Sequence, residues 1–342
     1  MNNVLLEVKD LETSLKINNE WLATVENISF ELSKGEVLGI VGESGCGKSI
    51  LSKSIIKLLP EKISKLSNGE VIFDSKRIDT LNEKQLLDIR GNDIAMIFQE
   101  PMTALNPVFT IKNQLVESIK SHKKISKKEA NNLAKDLLKK VGIARQDEIL
   151  NSYPHQLSGG MRQRVMIAMA ISCSPKLLIA DEPTTALDVT IQAQILDLLK
   201  ELQKETQMAI MMITHDLSVV AEFCDKVLVM YAGQIVEFGG IKEILHNPKH
   251  PYTQKLLSTI PKLKEEQKRL ETIEGIVPSI QAFHVNKCRF ANRCNKKLDI
   301  CNNQSPKMHV CEDVIVRCHL YQNEYKNGKY FRSKSSKKIL QN

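Results

Sequence analysis

"EVLGIVGESGCGKSILSKSIIKLL", residues 36–59, decides the fold of this chain. Its centre, "GESGCGKS" at 42–49, fits the pattern G-x-x-x-x-G-K-[ST], which requires a buried strand before it and a helix after it. Both are predicted, because 36–42 is a short apolar run and the apolar residues after 49 recur at spacings of three and four. Such a loop holds phosphate oxygens with backbone N–H groups at a helix N-terminus. The expected phosphate-binding residues are Gly42, Glu43, Ser44, Gly45, Cys46, Gly47, Lys48, Ser49 and Ile50, with Lys48 on the β- and γ-phosphates and Ser49 on Mg²⁺.

A second apolar run, "PKLLIADEP" at 175–183, supplies the carboxylates that a phosphate loop lacks. Asp181, at the end of this predicted strand, is expected to hold the Mg²⁺ shell. Glu182 is expected to polarise a water molecule for in-line attack. Either carboxylate alone could merely cap the next segment, but beside a phosphate loop the pair predicts nucleotide binding and hydrolysis.

Strands and helices alternate along the first 240 residues. Residues 1–40 alternate apolar and polar residues around a turn at Asn18–Asn19, which predicts two antiparallel strands. Polar, helix-rich sequence occupies 80–140, a helix is predicted from Thr190 to Thr206, and a third apolar strand is predicted at 208–216. This order predicts an α/β architecture with a largely parallel sheet.

Composition excludes several classes of protein. The 342 residues are 42% hydrophobic and 26% charged, which is ordinary for a globular protein. No apolar run is long enough to span a bilayer, and the start lacks a secretory pattern, so we expect a cytoplasmic protein. The net charge of +8 comes from scattered lysines, so no nucleic-acid partner is expected.

Four further stretches resemble the motifs of ATP-binding-cassette (ABC) ATPases, in the family's order: "FQEP" (98–101), "LSGGMRQR" (157–164), "ALD" (186–188) and "ITHD" (213–216). The resemblance implies that Gln99 and His215 act at the ATP and Mg²⁺ site beside Glu182. It also implies that a signature segment closes over the ATP of a partner cassette, with the D-loop residue Asp188 nearby. The signature residues are Leu157, Ser158, Gly159, Gly160 and Met161.

The same resemblance implies a P-loop cassette with a RecA-like core, an antiparallel β subdomain and a helical subdomain. We expect the cassette at 1–250, with its helical subdomain at about 100–165. A cysteine-rich extension follows at 251–321, and a basic tail at 322–342. The aromatic residue that stacks on adenine in such cassettes is unassigned, because Leu15 stands where relatives tend to have an aromatic residue. Trp21 is the alternative candidate for stacking, but a role in the core or in contact with a partner is equally compatible with its position.

"NPKHPYTQKLL" (247–257) and the segment after Gln99 resemble the ATPases of dipeptide and oligopeptide (peptide/nickel) importers. The resemblance implies a subunit that hydrolyses ATP at the cytoplasmic face of the membrane. Its implied partners are a related ATPase, two transmembrane permease subunits and, indirectly, an extracytoplasmic peptide-binding protein. Nickel or a metal chelate is the alternative cargo, and a soluble ABC ATPase acting on ribosomes or DNA is the alternative from another class.

Five of the eight cysteines lie between 288 and 318. Cys288, Cys294, Cys301 and Cys318 resemble the four tail cysteines that hold a [4Fe–4S] cluster in some members of the importer family. Four thiolates suit either a cluster or Zn²⁺, and reduced thiols without metal are a third possibility. The roles of Cys311 and of Cys46, inside the phosphate loop, stay open.

Overall fold

The computed structural model describes residues 3–100, 104–185, 187–259, 273–284 and 286–322. These residues divide into two units. The first is formed by the described parts of Met1–Leu32, Val37–Asp79 and Thr214–Asn342, and the second by Ser33–Glu36 and Thr80–Ile213. The charged stretch "PKLKEEQKRLETI" at 261–273 has the composition of a helix, but all of it except Ile273 lies outside the described residues, as does the predicted basic tail except for Gln322.

The first unit contains an antiparallel sheet with the strand order β2–β1–β4–β5. Its strands are β1 (Val4–Ile17), β2 (Glu20–Ser33), β4 (Ser64–Phe73) and β5 (Lys76–Arg77). The predicted turn between β1 and β2 is confirmed: Asn18 and Asn19 have φ angles of 49° and 67°. Asparagine tolerates this conformation better than most residues, and two such residues make the tight turn that hairpins favour.

The first unit also contains the strands β3 (Val37–Val41), β9 (Lys226–Tyr231), β10 (Gln234–Gly240), β12 (Val314–Arg317) and β11 (Met308–Cys311), in the order β11–β12–β10–β9–β3. β3 runs parallel to β9, and all five of its residues are buried, as its continuous apolar run predicts. β9 and β10 are antiparallel because a two-residue turn joins them, with φ angles of 47° at Ala232 and 81° at Gly233. The sheet is predicted to be largely parallel, but the strands β9, β10, β12 and β11 pair antiparallel to one another.

No strand is predicted in the cysteine-rich segment from its sequence, but the structure contains two there. β11 and β12 form an antiparallel hairpin, and β12 pairs antiparallel with β10. Val314 and Val316 are 2% and 0% exposed, so this hairpin is part of the core of the first unit. The alternating segments "MHVC" and "VIVR" on either side of Glu312–Asp313 carry the signal for this hairpin.

In the second unit the parallel strands are β6 (Ile94–Ile97), β7 (Leu177–Asp181) and β8 (Ala209–Thr214), in the order β8–β7–β6. Its helices are α2 (Glu83–Leu87), α3 (Ile111–His122), α4 (Lys127–Lys140), α5 (Gln146–Asn151), α6 (Gly159–Ala170) and α7 (Val189–Thr206). The helices of the first unit are α1 (Lys48–Ile55), α8 (Leu217–Phe223), α9 (Ile241–His246) and α10 (Pro251–Ser258). Across the described helices, none is both long enough and apolar enough to cross a membrane.

Candidate functional site

The phosphate loop lies where the sequence predicts it, between the end of β3 and the start of α1. Two of its glycines are required by geometry. A Cβ on Gly42 would stand 2.3 Å from the carbonyl oxygen of Met230, and Gly47 precedes α1 with a φ of 101°. Because Gly47 has no side chain, the first N–H groups of α1 receive no side-chain cap from it. This helix start is therefore suited to an anion.

Lys48 is the first residue of α1 and lies across the loop. Its side chain is 5% exposed. The ammonium group donates hydrogen bonds to the carbonyl oxygens of Gly42, at 2.7 Å, and Glu43, at 3.1 Å. The buried ammonium group is thus stabilised by hydrogen bonds to loop carbonyls, and it lies within the loop where phosphate oxygens are expected.

Cys46 is buried within the same loop. Its side chain is 1% exposed, and burial raises the pKa of its thiol. A buried protonated thiol is a poor nucleophile, so the structure favours a packing role for Cys46 over redox sensing. Its backbone oxygen accepts a hydrogen bond from the N–H of Gly233 at 2.9 Å, so the β9–β10 turn supports the loop from behind.

The predicted carboxylates lie in the second unit, at the end of β7. Asp181 is 2% exposed. Glu182 has a φ of 49°, an unusual backbone conformation for glutamate of the kind that clusters at functional sites. Its Oε2 accepts hydrogen bonds from Gln99 Nε2, at 3.0 Å, and from Thr185 Oγ1, at 2.9 Å. The structure therefore brings Gln99 and Glu182 together and adds Thr185, which the sequence analysis missed although it lies in the run "DEPTT".

The signature residues form a second glycine-rich helix start, at α6 in the second unit. Ser158 is the N-cap, and its Oγ accepts from the N–H of Met161 at 3.3 Å. Gly160 is required by packing, because a Cβ there would stand 2.9 Å from Ile191 Cγ2. Gln163, on α6, donates from Nε2 to the carbonyl oxygen of Pro183 at 2.5 Å, which ties this helix to the residue after Glu182.

Two other predicted residues lie at helix starts. Asp188 is the N-cap of α7, where its side chain accepts from the N–H of Ile191 at 3.0 Å. His215 belongs to the first unit and is exposed, between the end of β8 and Asp216, the N-cap of α8. Both are held by short polar turns at the ends of elements, as loop residues of a site should be.

The structure does not identify the adenine-stacking residue. Trp21 is 39% exposed on β2, and the ammonium group of Lys65 lies 4.7 Å from the centre of its ring. Leu15 is half-buried on β1.

The four tail cysteines lie near one another in the first unit. The N–H of Cys288 donates to the carbonyl oxygen of Cys301 at 3.0 Å. Burial raises the pKa of Cys288 to about 11 and that of Cys318 to about 12, with neighbouring cysteines of the set contributing to both. Cys311 is buried at the end of β11. In the described part of the chain, however, no three His, Cys, Asp or Glu side chains stand close enough to hold a metal ion.

Two contacts to the phosphate loop come from the C-terminal region and were also missed. The hydroxyl of Tyr252 accepts a hydrogen bond from the N–H of Glu43 at 2.9 Å, and Arg293 forms an ion pair with the Glu43 carboxylate. The sequence shows Tyr252 only as part of "HPYT", and nothing near Arg293 points to a partner 250 residues away.

Two family profiles match this chain. One, for the ABC transporter family, matches residues 25–185, and the other, for the oligopeptide/dipeptide transporter C-terminal region, matches 236–301. Together they span both the phosphate loop and part of the cysteine-rich extension.

Curated relatives are similar over nearly their whole length. The "probable peptide ABC transporter ATP-binding protein y4tR" of Sinorhizobium fredii is 49% identical over 89% of this chain and 91% of that one. The "oligopeptide transport ATP-binding protein AppD" of Bacillus subtilis is 48% identical over 94% and 98%. The "dipeptide transport ATP-binding protein DppD" of Haemophilus influenzae is 47% identical over 94% and 97%.

Among solved structures, the dimeric post-hydrolysis state of the ATP-binding cassette MJ0796, bound to ADP and Pi, is 28% identical with a TM-score of 0.63. It covers 69% of this chain and 99% of that one. The cbiO1 protein of Clostridium perfringens, part of the cbiONQ ABC transporter complex, is 30% identical with a TM-score of 0.62, over 72% and 92%.

Proposed function

Because this chain belongs to the family of ATP-binding proteins of peptide ABC transporters, we propose that it is the subunit that hydrolyses ATP to drive import of oligopeptides or dipeptides. The observation that carries this proposal is the phosphate loop, with its buried lysine, in a chain whose C-terminal region matches the oligopeptide/dipeptide profile. The expected division into a cassette at 1–250, an extension at 251–321 and a tail at 322–342 is part of the proposal.

ATP binds in the loop from Gly42 to Ile50. The N–H groups at the start of α1 and the ammonium group of Lys48 hold the phosphates, because both carry positive charge into a confined space. Ser49, Gln99 and Asp181 would hold Mg²⁺, which would supply positive charge against the phosphates.

Hydrolysis depends on Glu182 in the second unit. Its carboxylate accepts the proton of the attacking water, while Gln99 and Thr185 fix its orientation through hydrogen bonds to Oε2. His215 contacts the γ-phosphate and helps to orient the water. The contribution of these groups is positioning and electrostatic stabilisation, as phosphoryl transfer requires.

The signature segment acts on ATP held by another cassette. Two cassettes close over two ATP molecules, with Ser158 and Gly160 on the γ-phosphate of the partner site and Asp188 between the sites. The partner is a related ATPase, and closure drives two permease subunits at the cytoplasmic face of the membrane. An extracytoplasmic binding protein delivers the peptide, so peptide does not contact this chain.

Uptake by living cells tests this function without isolating any partner. A chromosomal Glu182→Gln substitution should abolish uptake of labelled oligopeptides or dipeptides and leave nickel uptake unchanged. The matched control is Glu201→Gln on α7, which lies outside the expected site. Unchanged peptide uptake in the Glu182 variant, or loss of nickel uptake instead, would contradict the proposed cargo. The relatives are named for peptide transport, which argues against nickel.

For the extension, we propose that Cys288, Cys294, Cys301 and Cys318 hold a [4Fe–4S] cluster. The support is their shared neighbourhood and the fact that four cysteine thiolates are the usual ligand set of such a cluster. Anaerobic purification followed by iron, sulfide and zinc analysis tests this. About four irons per chain, lost on Cys294→Ser but kept on Cys311→Ser, is the expected result. One zinc or no metal would overturn it and leave the ATPase function untouched.

A further inference from the structure

Besides Tyr252, the extension contacts the phosphate loop through an arginine. Arg293 ends a short 3₁₀ turn, Ala291–Arg293, within the stretch "CRFANRC" at 288–294. Its Nη1 donates to Glu43 Oε2 at 2.7 Å, and its Nη2 donates to Glu43 Oε1 at 2.9 Å. This two-point pairing is the geometry in which a guanidinium recognises a carboxylate most strongly.

The arginine is fixed on its other sides as well. Nε donates to the carbonyl oxygen of Glu274 at 2.8 Å, and Nη2 also donates to that of Ile273 at 3.1 Å. The Arg293 side chain is 6% exposed and that of Glu43 is 27% exposed. The guanidinium is therefore oriented by backbone of the extension as well as by Glu43.

Glu43 is tied at three points. Its carboxylate pairs with Arg293, its N–H donates to Tyr252 Oη at 2.9 Å, and its carbonyl oxygen accepts from Lys48 at 3.1 Å. The second residue of the phosphate loop therefore connects the phosphate-binding lysine to the C-terminal region.

An aromatic cluster supports these contacts. The ring of Phe290 lies 5.1 Å from that of Tyr231 and 5.4 Å from that of Tyr252, both in edge-on arrangements. Phe290 is 2% exposed, so the turn that carries Arg293 is anchored in the core of the first unit.

We propose that Arg293 is a positioning residue for ATP binding: it neutralises Glu43 and holds the phosphate loop open for the triphosphate. Without Arg293, an unpaired carboxylate would stand beside the phosphate site, where it repels ATP and competes with phosphate for Lys48. ATP affinity then depends on correct folding of the cysteine-bearing extension. This inference rests on the proposed role of residues 42–49 in ATP binding.

A double-mutant cycle at Arg293 and Glu43 tests the inference. The measured quantity is the affinity of the full chain for a fluorescent ATP analogue in the presence of Mg²⁺. Arg293→Gln should weaken binding about tenfold, a typical coupling between linked sites. Glu43→Gln alone is the reference variant that completes the cycle. Arg293→Gln combined with Glu43→Gln should regain most of the lost affinity, because the unpaired charge is gone.

The matched control is Arg317→Gln. Arg317 is also a buried arginine of the extension that directly precedes a tail cysteine, but it donates to the carbonyl oxygen of Ile235 at 3.0 Å and does not contact Glu43. It should lower the melting temperature without changing ATP affinity. Arg293→Lys, which keeps the charge and loses the two-point geometry, should lie between the wild type and Arg293→Gln and serves if the latter fails to fold.

Wild-type affinity in Arg293→Gln or Arg293→Lys would overturn the inference. So would a double variant as weak as Arg293→Gln, or an Arg317→Gln variant that loses as much affinity, since either would show only general destabilisation. Lys48→Ala in the same assay separates the two claims: if it leaves ATP binding unchanged, the proposed phosphate site itself has failed.

Discussion

The two glycine-rich helix starts, at α1 in the first unit and α6 in the second, differ in how their N–H groups are used. α1 begins with Lys48 after Gly47, which has a φ of 101° and no side chain to cap the helix. α6 begins with Gly159 after Ser158, whose hydroxyl already accepts the N–H of Met161. The first start has no side-chain cap and begins with a lysine, whereas the second is capped by a serine hydroxyl and has no lysine.

This difference suggests that α1 binds ATP and that α6 completes the site around ATP that is already bound. A helix start with a lysine can hold a triphosphate by itself, because it combines dipole and full charge. A start whose serine already caps the helix, and which has no lysine at its first position, is better suited to closing over a phosphate that is already bound. The following substitutions are chosen to break or sharpen this contrast.

The largest effect is expected from Lys48→Ala. The substitution removes the ammonium group, which we expect to donate two charge-assisted hydrogen bonds to phosphate. Each such bond contributes about 1.5–3 kcal/mol, so ATP affinity should fall at least about a hundredfold. Equilibrium ATP binding measures this, and Lys53→Ala, later on the same helix, is the control. If Lys48→Ala binds ATP as tightly as the wild type, the start of α1 is not the ATP-binding site.

A smaller effect, on turnover and not on binding, is expected from Ser158→Ala. ATP affinity of the isolated chain should stay unchanged, while ATP turnover of the assembled transporter should fall about tenfold, a loss of about 1.4 kcal/mol in the transition state. The lost cap should also cost about 1 kcal/mol of folding stability.

Ser126→Ala controls for the lost cap, because Ser126 caps α4 in the same unit through the N–H of Glu129. It should lower the free energy of unfolding to a similar extent and leave turnover intact. If the two serine variants lose turnover equally, the contrast between the helix starts has no functional meaning.

The smallest effect is expected at Thr185. Thr185→Val removes one hydrogen bond to Glu182 Oε2, worth about 1 kcal/mol, so turnover should fall about fivefold without any change in ATP affinity. Thr185→Ser keeps the hydroxyl and should retain turnover. A reduced affinity in the valine variant would contradict the assignment of the second unit to cleavage.

Local patterns carried much of the fold and the candidate site. The phosphate loop, the strand before it, the helix after it and the turn at Asn18–Asn19 depend on residues close together in the chain, so period and glycine spacing suffice to predict them. The capping role of Ser158 is also local, because the hydroxyl and its N–H partner are three residues apart.

Long-range contacts could not be predicted in this way. The pairing of Arg293 with Glu43 joins residues 250 positions apart, and β12 pairs with β10 across some 75 residues. Such pairings are chosen by packing of the whole unit, and an arginine or a short alternating segment looks the same in sequence whether or not it finds a partner.

Single-turnover analysis of Glu182→Gln tests the separation of binding from cleavage most directly. The substitution keeps the size of the side chain and removes its basicity, so labelled ATP should bind as in the wild type and remain uncleaved, with turnover lower by about a hundredfold or more. ATP cleavage at the wild-type rate would contradict the assignment of Glu182 as the general base, and loss of ATP binding would contradict the division of labour between the two units.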